Sequence, residues 1–239
     1  MNKLTEILVC TAAILTGLLL VSCGKNPNSG PEIHFPEWNG FVSAKNVSEE
    51  LFLTMSSYMG PGNHVFSCYI PREDADRISS TGENTGITRY IIASTPKNAR
   101  NKSFSTDDFK NLKESFQQQY ENTLLKHADK ALPEMKEKAQ KEIRARGSDA
   151  AFHIEELVPM GLDSSHDNPL LHSILVKQYI LNGDEKIPVS MICTTAITLV
   201  RDKILFINVY SRHEGKKDLD WTKKTALEFA QKTIRDNAQ

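Results

Sequence analysis

Residues 204–210, ILFINVY, are apolar on both of the faces that an extended chain presents, and such a stretch needs strands beside it and packed layers on either side. It is therefore expected to be a central strand. The preceding segments fix its neighbours. Leu170 to Leu181 and Ile187 to Val200 are long strand-like runs, the second placing Val189, Met191, Cys193, Ile197 and Leu199 on one face. Asn182-Gly183 with Asp184 to Lys186 supplies one turn, and Arg201-Asp202-Lys203 supplies the next; connections this tight force antiparallel pairing. With Phe152 to Val158 ahead of them, the last third of the chain reads as a meander.

Two further strands are expected upstream. His64 to Ile70 alternates Phe66, Cys68 and Ile70 against Val65, Ser67 and Tyr69 before Pro71 ends it, and Ile87 to Ala93 follows a polar excursion, REDADRISSTGENTG. Helices are expected over 47–58, opened by Ser48, and after Ser105-Thr106-Asp107-Asp108, where Phe109, Leu112, Phe116, Tyr120 and Leu124 recur at spacings of three or four. That second stripe runs on to Pro133, which predicts a kink, and resumes from Glu134 to Arg146. Its charged continuation, EMKEKAQKEIRARG, intersperses acids with bases as a solvated helix does. A last helix capped by Asp218 or Asp220 would set Leu227, Ala230 and Ile234 on the sheet. The expected class is α+β: an antiparallel sheet of about six strands, ending in the meander, packed against a long kinked helix and a C-terminal helix.

The other end of the chain has a different grammar. Met1 to Glu6 with Lys3 precede an apolar run from Ile7 to Leu20, and small residues stand directly before Cys23. An apolar run of that length spans roughly 21 Å as a helix, short of the ~30 Å hydrocarbon core, so it reads as a secretory signal and not as a membrane span. Leu20-Val21-Ser22-Cys23 resembles the lipobox of bacterial lipoproteins. The resemblance implies cleavage before Cys23, lipidation of its thiol, and a cell-envelope address held by acyl chains. Gly24 in place of an aspartate implies the periplasmic side of the outer membrane if the source is Gram-negative. The stretch from Gly24 to Gly40, GKNPNSGPEIHFPEWNG, reads as a tether, with Phe35 and Trp38 expected to pack at its end. The domain plan is a signal peptide over 1–22, the lipidated cysteine and tether over 23–46, and one α+β domain over 47–239.

Removing residues 1–22 takes away Lys3 and Glu6, so the net charge stays at −1, and no basic stripe is left to seek nucleic acid. The expected partners are the membrane, through the anchor, and a protein of the envelope; no cofactor is indicated. Cys10 falls in the leader, leaving Cys68 and Cys193 in an oxidising compartment. They read either as a disulfide or as two small buried hydrophobes in strands.

Chemistry-bearing residues cluster in two places. His153, Glu155 and Glu156 in FHIEEL, or Asp163, His166, Asp167 and His172 around a loop, are candidate metal ligands, although a strand points His153 and Glu156 to opposite faces. Ser164-Ser165-His166-Asp167 holds the residue types of a catalytic triad, yet triads are assembled from distant segments, and no nucleophile elbow, phosphate loop or zinc-helix motif occurs. The order of strands, long helix, meander and closing helix, with the stretch KILFINVYSRHEGKKDLDWTKKTALEFAQKTI, resembles the PsbP-like and Mog-like fold of uncharacterised exported proteins. No binding residue is implied by that likeness. The functional expectation is an envelope-anchored binding or accessory module; the alternative is an envelope hydrolase or metal-dependent enzyme using His153 or His166.

Overall fold

The computed structural model describes residues 32–60, 62–82, 86–118, 120, 151–182 and 185–238, with the backbone alone for 151–154, 180–182 and 185. In chain order the elements are β1 (Phe41–Ser43), α1 (Ala44–Val47), α2 (Glu49–Ser57), β2 (Asn63–Pro71), α3 (Arg72–Thr81), β3 (Arg89–Pro96), α4 (106–118), β4 (Ala151–Asp163), β5 (Leu170–Asn182), β6 (Glu185–Val200), β7 (Lys203–Arg212) and α5 (Lys216–Asp236). The strands form one antiparallel sheet of seven in the order β1-β2-β3-β7-β6-β5-β4. It is an α+β fold, with one strand more than expected because the short β1 pairs with the end of β2.

The meander is present as read. β4, β5, β6 and β7 are consecutive neighbours, and the turn between the last two is made by Arg201 and Asp202 at φ 46° and 62°, the paired positive values of a tight hairpin. β7 then lies against β3, pairing Arg89 to Ser94 with Ser211 to Phe206, and so joins the N-terminal strands to the meander. Its position explains ILFINVY: from Lys203 to Ser211 every residue is buried.

One face of the sheet carries Ile70, Tyr90, Ile92, Ile174, Cys193 and Tyr210, packed with Leu51 and Met55 of α2, Ile78 of α3, and Phe109 and Phe116 of α4. Tyr90 and Tyr210 are direct cross-strand partners whose rings stack at 4.3 Å. The opposite face belongs to α5, whose Ala226, Phe229 and Ala230 meet Tyr69, Ile91, Leu171, Ile207 and Val209.

Four local expectations change. Ser48 does cap a helix, accepting the Leu51 amide hydrogen at 3.0 Å, but the chain is already helical over Ala44–Val47. The polar excursion after Pro71 is helix α3, held on the core by Ala75 and Ile78 alone and closed by Gly82 in the left-handed conformation, φ 70°. Phe66 leaves the Cys68–Ile70 row because a bulge falls between Val65 and Ser67; its ring meets Phe35 at 5.8 Å and His64 at 4.8 Å. On α5 the N-cap is Gly215, not Asp218 or Asp220, and the inward stripe is Thr222, Ala226, Phe229, Ala230 and Thr233, rotated from the Leu227–Ile234 line. The continuation of the long helix, with Leu124, Pro133 and the run from Glu134 to Arg146, lies outside the described residues.

The domain also begins ahead of position 47. Residues 32–41 run the length of α5, antiparallel to it. Trp38 meets Phe229 at 5.3 Å, Phe41 stacks on Trp221 at 6.3 Å, and at the far end His34 and Asn237 are locked together. The His34 amide donates to Asn237 Oδ1 at 3.0 Å, while Asn237 Nδ2 donates to the carbonyls of His34 at 2.7 Å and Thr233 at 2.8 Å. Phe35 and Trp38 thus pack as expected, and they take the tether's second half into the fold.

Asn237→Ala leaves the His34 amide, the partly buried His34 carbonyl and the buried Thr233 carbonyl without this partner, so chemical denaturation should show a loss of about 1–3 kcal/mol. Limited proteolysis should at the same time cut within residues 32–38 faster than in the wild type.

Candidate functional site

The residues singled out for chemistry divide among three environments. The first is the loop from Asp163 to Pro169, at the end of β4. Asp163 Oδ1 accepts the Ser165 hydroxyl at 2.6 Å and the Ser165 amide at 2.9 Å, a side-chain-closed turn. Those two bonds, the hydroxyl foremost, hold the Asp163 carboxyl below its usual range. Lys113 of α4 donates Nζ to the carbonyls of His166 at 2.6 Å and Asp167 at 2.9 Å. Asn168 mimics a strand residue against β6: its Oδ1 accepts from Thr198 Oγ1 at 2.7 Å and from the Leu199 amide at 3.3 Å, and its Nδ2 donates to the Leu199 carbonyl at 2.9 Å.

Among the described residues no serine hydroxyl of this loop is bonded to His166. The Ser165 hydroxyl is spent on Asp163, and His166 contributes its backbone carbonyl to Lys113. A nucleophile needs its hydroxyl within hydrogen-bond reach of the base. Here the Ser165 hydroxyl donates to the Asp163 carboxylate.

The second environment is the helix-covered face of β5. His172 is 2% exposed and pairs in register with Leu162 on one side and Thr195 on the other. Its ring lies 5.1 Å from that of Phe116 and 6.1 Å from that of Tyr120, and neither ring nitrogen has a hydrogen-bond partner among the described residues. Burial lowers its pKa to about 4, so the ring is neutral at ordinary pH. Tyr120 passes over this position with its hydroxyl 3.1 Å from the carbonyls of both Gly161 and Ser173.

The third environment is the outer strand β4. Glu155 and Glu156 are spent on cross-strand ion pairs, with Lys186 at 2.6 Å and Lys177 at 2.7 Å. The backbone of His153 pairs with Tyr179, seven residues along β5 from His172, a separation of about 23 Å at ~3.3 Å per residue. The His153 side chain lies outside what is described. Among the described residues no three His, Cys, Asp or Glu side chains come together as a metal site would require.

The cysteine alternative resolves toward packing. Cys68 and Cys193 are both free and buried. Their strands, β2 and β6, have β3 and β7 between them, so three spacings of ~4.8 Å put them roughly 14 Å apart, about twice the reach of a disulfide. Burial pushes each thiol up to about 12, with Ser56 near one sulfur at 4.0 Å and Thr195 near the other at 3.8 Å.

Sequence reasoning missed the polar threads inside the sheet. On the α5 side, the hydroxyls of Ser173 and Thr194 meet at 2.8 Å, and those of Thr194 and Thr222 at 2.9 Å, tying β5, β6 and the helix together. On the other face Thr195 donates to Asn208 Oδ1 at 2.8 Å. The run CTTAIT on β6 was their signal, since adjacent threonines in a buried strand send one hydroxyl to each face. At the start of α5, Arg89 donates to Asp218 at 3.3 Å and lies 4.6 Å over the Trp221 ring. Asp218 also accepts the Glu214 amide at 2.9 Å, its service to the helix being this first-turn bond rather than an N-cap.

No protein-family model, curated protein or solved structure matches the chain.

Two outcomes follow from these environments. Between pH 6.5 and about 4 the unfolded chain protonates His172 while the folded one does not, so stability falls as pH drops through that window. The wild type should lose of the order of 3 kcal/mol more than His172→Phe over the same range, read by urea denaturation at stepped pH, where parallel profiles would refute the assignment. Maleimide labelling with peptide mapping should leave Cys68 and Cys193 unmodified in the native protein at pH 8 and modify both in denaturant.

Proposed function

We propose that this chain is a lipid-anchored protein of the bacterial cell envelope, whose folded part serves as a binding or accessory module. The observation that carries the reading is how the chain joins the fold. Residues 32–41 are fastened along α5 by Trp38, Phe41 and the His34–Asn237 lock, and Arg201 holds the Glu32 carbonyl at 3.2 Å, nine residues after the lipobox-like Cys23. An acyl anchor there would hold a folded body close to the bilayer, and two or three chains at about 0.8 kcal/mol per buried methylene make such an anchor lasting. Among the described residues no helix is long and apolar enough to cross a membrane.

The accessory role is supported by where the polar side chains have gone. Ser165, Glu155, Glu156 and Asn168 are engaged in turn closure, cross-strand pairing and loop fastening, and His172 is sealed under Phe116 and Tyr120. These are uses that build a stable scaffold. Recognition of a protein partner then falls to the surface.

Expression in a bacterium that processes lipoproteins, followed by intact-mass analysis, tests the anchor. The expected product begins at Cys23 and carries acyl mass, and Cys23→Ala should lose both the cleavage and the added mass. A wild-type chain recovered full length and unacylated would refute the reading. For the accessory role, crosslinking in intact envelopes should trap one reproducible protein partner, and a chain that crosslinks to nothing would count against it.

A further inference from the structure

The chain joins the described fold at Glu32, whose carbonyl accepts from Arg201 Nη1 at 3.2 Å in the β6–β7 turn. The end of β3 and the turn after it lie at the same pole: Lys203 Nζ donates to the Lys102 carbonyl at 2.8 Å, and the Phe104 amide donates to the Asp202 carbonyl at 2.9 Å. Residues 97–103, KNARNKS, hold three cations and no acid. Lys97 and Arg100 are exposed, Lys102 and Arg201 half-exposed. None of the four has an ion-pair partner among the described residues, unlike Arg77, Arg89, Lys177 and Lys186, which are each paired with a carboxylate.

The neighbouring His64 registers the positive surroundings. Its pKa is lowered first by burial and then by the charges of Arg100 and Lys97. The acids at this pole are Glu32 and Asp202, exposed Asp167 in the loop that Asn168 fastens to Leu199, and Asp236, paired with Lys232 at 3.1 Å, with Asp107 and Asp108 at the start of α4; the Asp108 carboxylate is taken up by the amide and hydroxyl of Ser105, at 2.8 and 2.7 Å.

Covalent geometry sets the reach. Nine residues from Cys23 to Glu32 span at most about 32 Å, whereas β6, with 16 residues, extends about 53 Å from this pole to the far β5–β6 hairpin. A connection shorter than the sheet cannot bring the far hairpin to the bilayer while this pole points away from it. The exposed cations act over a screening length of about 8 Å at physiological salt, so they need the proximity that the short connection imposes.

We propose that this pole rests on the membrane, with Lys97, Arg100, Lys102 and Arg201 against the anionic headgroups of the leaflet that holds the Cys23 acyl chains. The inference rests on acylation of Cys23. It adds an orientation: the far hairpin and the start of α5 face away from the bilayer, free for a partner.

The test uses the full acylated protein reconstituted in vesicles of phosphatidylglycerol and phosphatidylethanolamine. A fluorophore is attached through Asn101→Cys at this pole or Asp220→Cys at the other, the native Cys68 and Cys193 being buried. Headgroup-spin-labelled lipid should quench the first label at least about threefold more than the second, and the contrast should shrink in phosphatidylcholine vesicles, at ~1 M salt, and in the triple variant Lys97→Glu, Arg100→Glu, Arg201→Glu, to what the short connection alone imposes. Equal quenching of the two labels, or a contrast undiminished by neutral lipid or charge reversal, overturns the proposal. Intact mass separates the two failures: an unacylated chain that stays out of the vesicles refutes the anchor and this orientation with it, whereas an acylated, vesicle-bound chain with equal quenching refutes the orientation alone.

Discussion

The pairing of β7 with β3 is the join on which everything else in the fold depends. Three strands come from the first hundred residues and four from the last ninety, and the two groups touch within the sheet only where Arg89 to Ser94 lie against Ser211 to Phe206. Each face of that seam is sealed by a different layer. Tyr90 and Tyr210 stack under the helices of the N-terminal half, while Ile91, Ile207 and Val209 lie under α5. Unpairing it would expose apolar surface on both sides at once, at about 25 cal/mol for each Å². That is why the strand supplying it carries no exposed position before Arg212.

Around this seam the protein spends its polar side chains on alignment. Hydroxyls of Ser173, Thr194 and Thr222 fix the register of β5 and β6 beneath α5, and Asn208 accepts from Thr195 on the other face. Buried polar atoms with partners are directional where apolar contacts are not, so they select one sliding position of helix on sheet. His172 is not used in this way. It is buried with both nitrogens unpartnered among the described residues, and the consequence is a contribution to stability that is lost as pH drops.

Much of this was legible in the chain. The meander followed from tight turns between long apolar runs, and the central place of β7 followed from ILFINVY, because both signals are local and periodic. Helix α3 was not legible: with only Ala75 and Ile78 buried, its apolar stripe is too thin to distinguish from a loop, and its clues were two acids in the first turn and Gly82 at its end. The inward face of α5 was misjudged by a fraction of a turn because Thr222, Thr225 and Thr233 are buried there, and hydropathy counts threonine as surface. The candidate site read as a cluster of letters, and the letters separated because a strand reverses side-chain direction at each residue and the loop at 163–169 satisfies its own polar groups.

The sequence by itself determined the class of fold and the order of the final strands, since each is written in consecutive residues whose spacing or type carries the physics. Only the tertiary structure decided that residues 32–41 belong to the domain, that Cys68 and Cys193 are too far apart to join, and that the cations of 97–102 and Arg201 share a pole with the point where the chain comes in. Those facts depend on which strands are neighbours across the sheet. Strand neighbourhood is set by burial of whole faces, a property that no short stretch of the chain possesses alone.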